Sequence, residues 1–165
     1  MFPDDLLSRA AALLDHCRTT GLRLATVESC TGGLLAGLLT SVAGSSAVFE
    51  RGWVTYTNEA KSQCVGVPAD LLVRHGAVSA QVAEAMAAGA LAHSPADLAV
   101  SITGIAGPGG ATPTKPVGLV HLGLCRRGES PRSERQVFPG DRTAVRLASL
   151  SSALALFESS LGLGR

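Results

Sequence analysis

Leu22-Arg23-Leu24-Ala25-Thr26-Val27-Glu28-Ser29-Cys30-Thr31-Gly32-Gly33-Leu34-Leu35-Ala36-Gly37-Leu38-Leu39 changes character at its middle. As far as Val27 it is a short, mostly apolar run of the kind that forms a strand. From Thr31-Gly32-Gly33 onward it becomes a small, apolar segment that reads as a helix to about Val42. A strand passing through glycines into a helix is the unit from which layered α/β sheets are assembled. Upstream, Leu6, Leu7, Ala10, Leu13, Leu14 and Cys17 recur at helical spacing among Asp, Arg and Ser. They predict an amphipathic first helix that stops near Gly21.

Downstream, Phe49 to Thr57 is β-prone and predicts a second strand, and Asn58 is the expected N-cap of a helix through Lys61. Val67-Pro68 opens another short helix that ends at Gly76. Ser79 caps an alanine-rich helix, which Ser94-Pro95 stops. Leu98 to Thr103, Val117 to Cys125 and Gln136 to Phe138 read as strands three to five. Asp141 caps a long last helix in which Leu147, Leu150, Leu154, Phe157 and Leu161 form one stripe. Alternating strands and helices predict a three-layer α/β/α sandwich. The late run of strands makes its sheet mixed, mostly parallel. At 165 residues, 1–165 reads as a single domain.

Composition narrows the function. Fourteen Lys+Arg against thirteen Asp+Glu leave a net charge of +1, and aromatics make up 4%. That balance argues against a nucleic-acid partner, which calls for a basic face or a stacking platform. Arg126, Arg127, Arg132 and Arg135 read as solvated charge. Cys17, Cys30, Cys64 and Cys125 form no C-x-x-C pair, and His16, His75, His93 and His121 show no metal-ligand spacing, so no metal is expected. Asp4 and Asp5 in the first residues do not suit a signal peptide, and no apolar run reaches membrane-spanning length. A cytoplasmic protein without a membrane partner is the expectation. The alanine-rich and leucine-rich helices could each serve a homo-oligomer face, and core packing explains them equally well.

Chemistry can gather in four places. Ser29 lies where a strand gives way to a helix N-terminus, and amides from Cys30 through Thr31, Gly32 and Gly33 could receive an oxyanion beside it. The competing reading makes Ser29 or Thr31 a plain helix cap. Lys61, in the first turn of the helix after Tyr56, sits on the side of the dipole that disfavours its charge. Partial burial would lower its pKa further and turn it into the base that a serine nucleophile needs, with Tyr56 relaying or hydrogen-bonding. The alternative is a solvated lysine beside a sheet-edge tyrosine. Thr103-Gly104-Ile105-Ala106-Gly107-Pro108-Gly109-Gly110 is neither a P-loop nor a dinucleotide fingerprint and reads as a ligand-enclosing loop. Arg142 and Arg146, at i and i+4, share a face near the last helix's N-terminus and could hold a phosphate. Cys30 and Ser46 compete with Ser29 for the nucleophile's role.

Taken together, Glu28-Ser29-Cys30-Thr31-Gly32-Gly33, Gly44-Ser45-Ser46, Phe49-Glu50-Arg51-Gly52, Tyr56-Thr57-Asn58-Glu59-Ala60-Lys61, His75-Gly76-Ala77-Val78-Ser79, Gly104-Ile105-Ala106-Gly107-Pro108, Lys115-Pro116-Val117-Gly118 and Gly140-Asp141-Arg142 resemble the CinA C-terminal domain family in order and spacing. The resemblance spans nearly the whole chain. It implies a nicotinamide-nucleotide amidase that converts nicotinamide mononucleotide to nicotinic acid mononucleotide and ammonia, with no metal and no cofactor. It further implies Ser29 as nucleophile, Lys61 as base and Tyr56 assisting. Thr103 and Gly104 would lie against a pyridine-nucleotide substrate, and Arg142 or Arg146 would meet its phosphate. Many members carry an additional N-terminal domain, which this chain is expected to lack. A nucleotide-binding regulatory module without turnover is the rival reading.

Overall fold

The computed structural model describes residues 1–163. Helix α1 (Asp4–Thr20) is followed by strand β1 (Leu24–Glu28), helix α2 (Leu34–Thr40) and strand β2 (Phe49–Val54). Three helices then run in succession: α3 (Asn58–Val65), α4 (Ala69–His75) and α5 (Ala80–Ala92). Strands β3 (Leu98–Gly104), β4 (Leu119–Arg126) and β5 (Arg132–Val137) lead to the final helix α6 (Arg142–Ser160). The sheet order is β2-β1-β3-β4-β5. β1 lies parallel to β2 and β3, while β4 is antiparallel to β3 and to β5. Four strands therefore point one way and β4 alone opposes them, which is the mixed, mostly parallel sandwich that the pattern predicts.

The period of two along each strand sorts side chains onto two faces. On one face Leu24, Leu98, Val100, Ile102, Val120, Leu122 and Leu124 pack with α1, α2 and α6. On the other, Ala25, Val27, Ala99 and Cys125 pack with α3, α4 and α5. Residues on this second face are small because α5 comes very close. A Cβ on Gly123 would run into the Ala83 carbonyl, and Ser101 Oγ donates to that same carbonyl at 2.6 Å. The α6 stripe lies in the first core, where Leu150, Leu154 and Phe157 are buried, and α5 buries Val82, Met86 and Ala90 against the sheet. Core packing thus accounts for both apolar helices.

Several boundaries differ from expectation for local reasons. β2 stops at Val54 because its partner β1 ends at Glu28, and only the Thr55 N–H still reaches the Glu28 carbonyl. Thr57, not Asn58, caps α3, its hydroxyl accepting from the Ala60 N–H at 3.1 Å. Helix α2 begins only at Leu34, since Gly33 has φ +96°. The caps expected at Ser79 and Asp141 accept from the Val82 and Ala144 N–H groups. Arg127 is not idle surface charge, because it donates to the carbonyls of Leu91, Ser94 and Ala96 and ties β4 to the end of α5. No helix among the described residues is long and apolar enough to cross a membrane.

Candidate active site

The carboxyl ends of β1, β2 and β3 lie side by side, because these strands are parallel, and the segments that leave them enclose a cavity of about 270 Å³. Loops leaving the carboxyl ends of parallel strands are where α/β sheets assemble sites. β1 contributes Ser29 and Cys30, and the segment after β2 contributes Tyr56 and Lys61. β3 and its loop contribute Thr103, Gly104, Ile105, Ala106, Gly107, Gly109 and Gly110. Arg142 enters from α6, and Ala77 and Val78 come from the turn before α5.

Lys61 is the decisive side chain. It is 1% exposed, although it occupies a helix of mixed polarity. Its Nζ donates to the Thr55 carbonyl at 2.8 Å and lies 3.2 Å from Ser29 Oγ. Burial lowers its pKa below the ordinary lysine range, because the charged ammonium is poorly solvated there. No carboxylate lies within ion-pair distance of it among the described residues. A neutral amine can keep one N–H on the Thr55 carbonyl and turn its lone pair to the Ser29 hydroxyl. The solvated-lysine reading is overturned by this burial.

The helix-cap reading of Ser29 and Thr31 is overturned too, by a residue whose role the sequence did not disclose. Glu28, fully buried, turns its carboxylate back onto the N-terminus of α2. It accepts from the N–H groups of Gly33, Leu35 and Ala36 at 3.1, 3.0 and 2.8 Å. Every other amide of the turn can be accounted for. Ser29 N–H donates to the Ile102 carbonyl, Gly32 N–H to Ser29, and Leu34 N–H to Thr31. Among the described residues, only the Cys30 and Thr31 amides of this turn lack a backbone or side-chain acceptor outside their own residue. The expected donor set of residues 30–33 therefore shrinks to two, since Gly32 and Gly33 are occupied.

Cys30 lines the cavity beside Ser29, but burial pushes its thiol up to about 11. At neutral pH it is a protonated thiol, a far weaker nucleophile than a thiolate.

The chain matches the model of the CinA C-terminal domain over residues 7–161. It belongs to that family. A CinA-like protein of Citrifermentans bemidjiense is 54% identical over 151 residues, covering 92% of this chain and 36% of that protein. A CinA-like protein of Akkermansia muciniphila is 51% identical over 144 residues, covering 87% and 35%. The chain thus spans about a third of the length of these curated relatives. Among solved structures, the competence/damage inducible protein CihA from Agrobacterium tumefaciens is 47% identical with a TM-score of 0.94, and the match covers 98% of each chain. A CinA superfamily protein from Escherichia coli is 34% identical with a TM-score of 0.88, covering 94% of this chain and 91% of that one.

In this CinA-family domain the other expected site residues divide. Tyr56 lines the cavity but stands at its rim, 59% exposed, and its hydroxyl accepts from Arg142 Nη2 at 3.2 Å rather than meeting Ser29 or Lys61. Just beyond the end of β2 the chain turns Thr55 inward and leaves Tyr56 outward. Arg142 also donates through Nη1 to the Gly107 carbonyl at 2.9 Å and so bridges the mouth. Thr103 is buried in the wall, its hydroxyl on the Ala77 carbonyl at 2.8 Å. Thr31, Gly32, Gly33 and Arg146 lie behind the Ser29 turn and do not line the cavity. Ser46 is exposed on a 3-10 turn ahead of β2. Because β2 and β1 are parallel, that turn is at the opposite end of the strands from Ser29, so Ser46 is not brought to the site within this chain. Sequence reading missed Thr55, whose carbonyl holds Lys61, because a backbone acceptor leaves no residue-type signal.

Proposed function

We propose that this domain hydrolyses the carboxamide of nicotinamide mononucleotide, giving nicotinic acid mononucleotide and ammonia. The reading rests on family resemblance for the substrate and on one observation for the chemistry: a buried lysine amine 3.2 Å from a serine hydroxyl at a strand-to-helix turn. In the first step Ser29 Oγ attacks the carboxamide carbon while Lys61 takes its proton. The oxyanion forms against the amide of Cys30, which lines the cavity beside Ser29, where a fixed dipole stabilises developing charge without reorganisation. Lys61 then gives its proton to the amide nitrogen, the C–N bond breaks, and ammonia leaves an ester on Ser29. Water, deprotonated by Lys61, cleaves that ester and restores the hydroxyl. The guanidinium of Arg142 stands at the mouth, where it can meet a phosphate.

The test is ammonia release from nicotinamide mononucleotide by wild type, Ser29→Ala, Lys61→Ala and Cys30→Ala. Release by wild type and Cys30→Ala alone supports the serine–lysine amidase. Saturable binding of the mononucleotide with no product, even at high protein concentration, would replace it with a binding module.

A further inference from the structure

We infer that Arg146 is a positioning residue that clamps the Ser29 turn from below, so that the Cys30 amide faces the cavity, and that it is not a phosphate holder. The inference rests on the amidase reading for its kinetic consequence, but its geometry stands apart from that reading. Arg146 lies one helical turn after Arg142 on the same face of α6, yet the two guanidinium groups serve different places. Arg142 bridges the cavity mouth, whereas Arg146 is outside the cavity lining and donates through Nη2 to the Thr31 carbonyl at 3.0 Å.

The guanidinium lies against Gly32, whose φ is +60°, and a Cβ there would be 3.5 Å from Nη2. Its Nε is shielded from solvent and has no acceptor, and no carboxylate pairs with it among the described residues. A phosphate approaching through the cavity would meet Arg142 and not this group.

The turn is thereby held from two sides. Glu28 collects the N–H groups that follow it, and Arg146 fixes the Thr31–Gly32 peptide by its carbonyl. The Gly32 N–H on the Ser29 carbonyl closes the turn. What remains unpaired at the cavity is the Cys30 amide beside the Ser29 hydroxyl. Oxyanion donors act only when pre-aimed, and a displacement of about 1 Å costs about a hundredfold in rate.

The experiment compares wild type, Arg146→Met, Arg146→Lys and Arg142→Ala by two readouts. The first is amide hydrogen exchange at Gly32 followed by NMR, which needs neither ligand nor turnover. Arg146→Met should speed exchange at Gly32 tenfold or more relative to amides of the sheet core, on the order expected for an opened local turn. Unchanged exchange at Gly32 overturns the clamp, whether or not the protein proves to be an amidase. The second is kinetics on nicotinamide mononucleotide and on its phosphate-free riboside. Arg146→Met should lower kcat on both by about a hundredfold with KM nearly unchanged, and Arg146→Lys should recover part of it, since an ammonium can still reach a carbonyl. Arg142→Ala should raise KM for the mononucleotide alone. A rise in KM for the mononucleotide in Arg146→Met, with the riboside unaffected, overturns the proposal in favour of phosphate binding. Should wild type release no ammonia from either amide, the amidase reading falls and the exchange measurement alone decides the clamp.

Discussion

The floor and the rim of the cavity are built on opposite principles. At the floor, Ser29, Lys61, Thr55 and Glu28 are buried, and the Lys61 amine and the Glu28 carboxylate are held by backbone groups. Charge is disfavoured there, so an amine becomes a base. At the rim, Tyr56 and Arg142 are exposed and bonded to each other and to a loop carbonyl, so charge survives and partners can be exchanged. The difference separates chemistry from recognition: a rigid, dry floor suits proton transfer, and a wet, cationic rim suits capture of an anion.

Changes at the floor should act on turnover. Ser29→Ala and Lys61→Met are expected to lower kcat by several orders of magnitude while leaving KM close to wild type, as loss of a nucleophile or its base does. Folding monitored by circular dichroism should be preserved in both. A Lys61→Met protein with near-normal kcat would remove the distinction altogether.

The same floor sets the pH dependence. Burial lowers the Lys61 pKa, so the folded protein holds the neutral amine at pH values where a solvated lysine is charged. Activity should therefore rise with pH through the folded-state pKa and reach its plateau below the ordinary lysine range. Folding stability should also rise with pH as far as that ordinary range, because the unfolded chain binds the proton more tightly. A rate that keeps rising up to the ordinary lysine range would show that Lys61 is not desolvated.

Glu28 sharpens the comparison through stability. Glu28→Ala leaves three N–H groups at the N-terminus of α2, those of Gly33, Leu35 and Ala36, without their acceptor in a buried to half-buried setting. It should lower unfolding free energy by about 3 kcal/mol, measured by urea denaturation, where a rim substitution costs under about 0.5 kcal/mol.

At the rim the effects are smaller and fall on binding. Arg142→Ala should raise KM for the mononucleotide about tenfold, and the effect should fade at high salt because the group is solvated. Tyr56→Phe should change KM by only about threefold, since it removes one exposed hydrogen bond. A large kcat loss in Tyr56→Phe would move this residue from the rim to the floor.

Much of this is legible in the sequence itself. The period-two strands, the glycine between β1 and α2, and the caps at Ser79 and Asp141 are local signals, and local chemistry determines them. Ser29 and Lys61 were legible as candidates because their residue types and helix-end positions are unusual. Three decisions belonged to the tertiary structure. Lys61 is buried only because β2 and α3 fold it against β1, so its pKa is a property of neighbours distant in sequence. Glu28 looks like any strand-end acid until its carboxylate is seen gathering three amides. Arg142 and Arg146 share a helix face and a charge, yet one opens onto the cavity and the other onto the back of the Ser29 turn. Periodicity tells which side chains share a face; only the packing of that face tells what each of them meets.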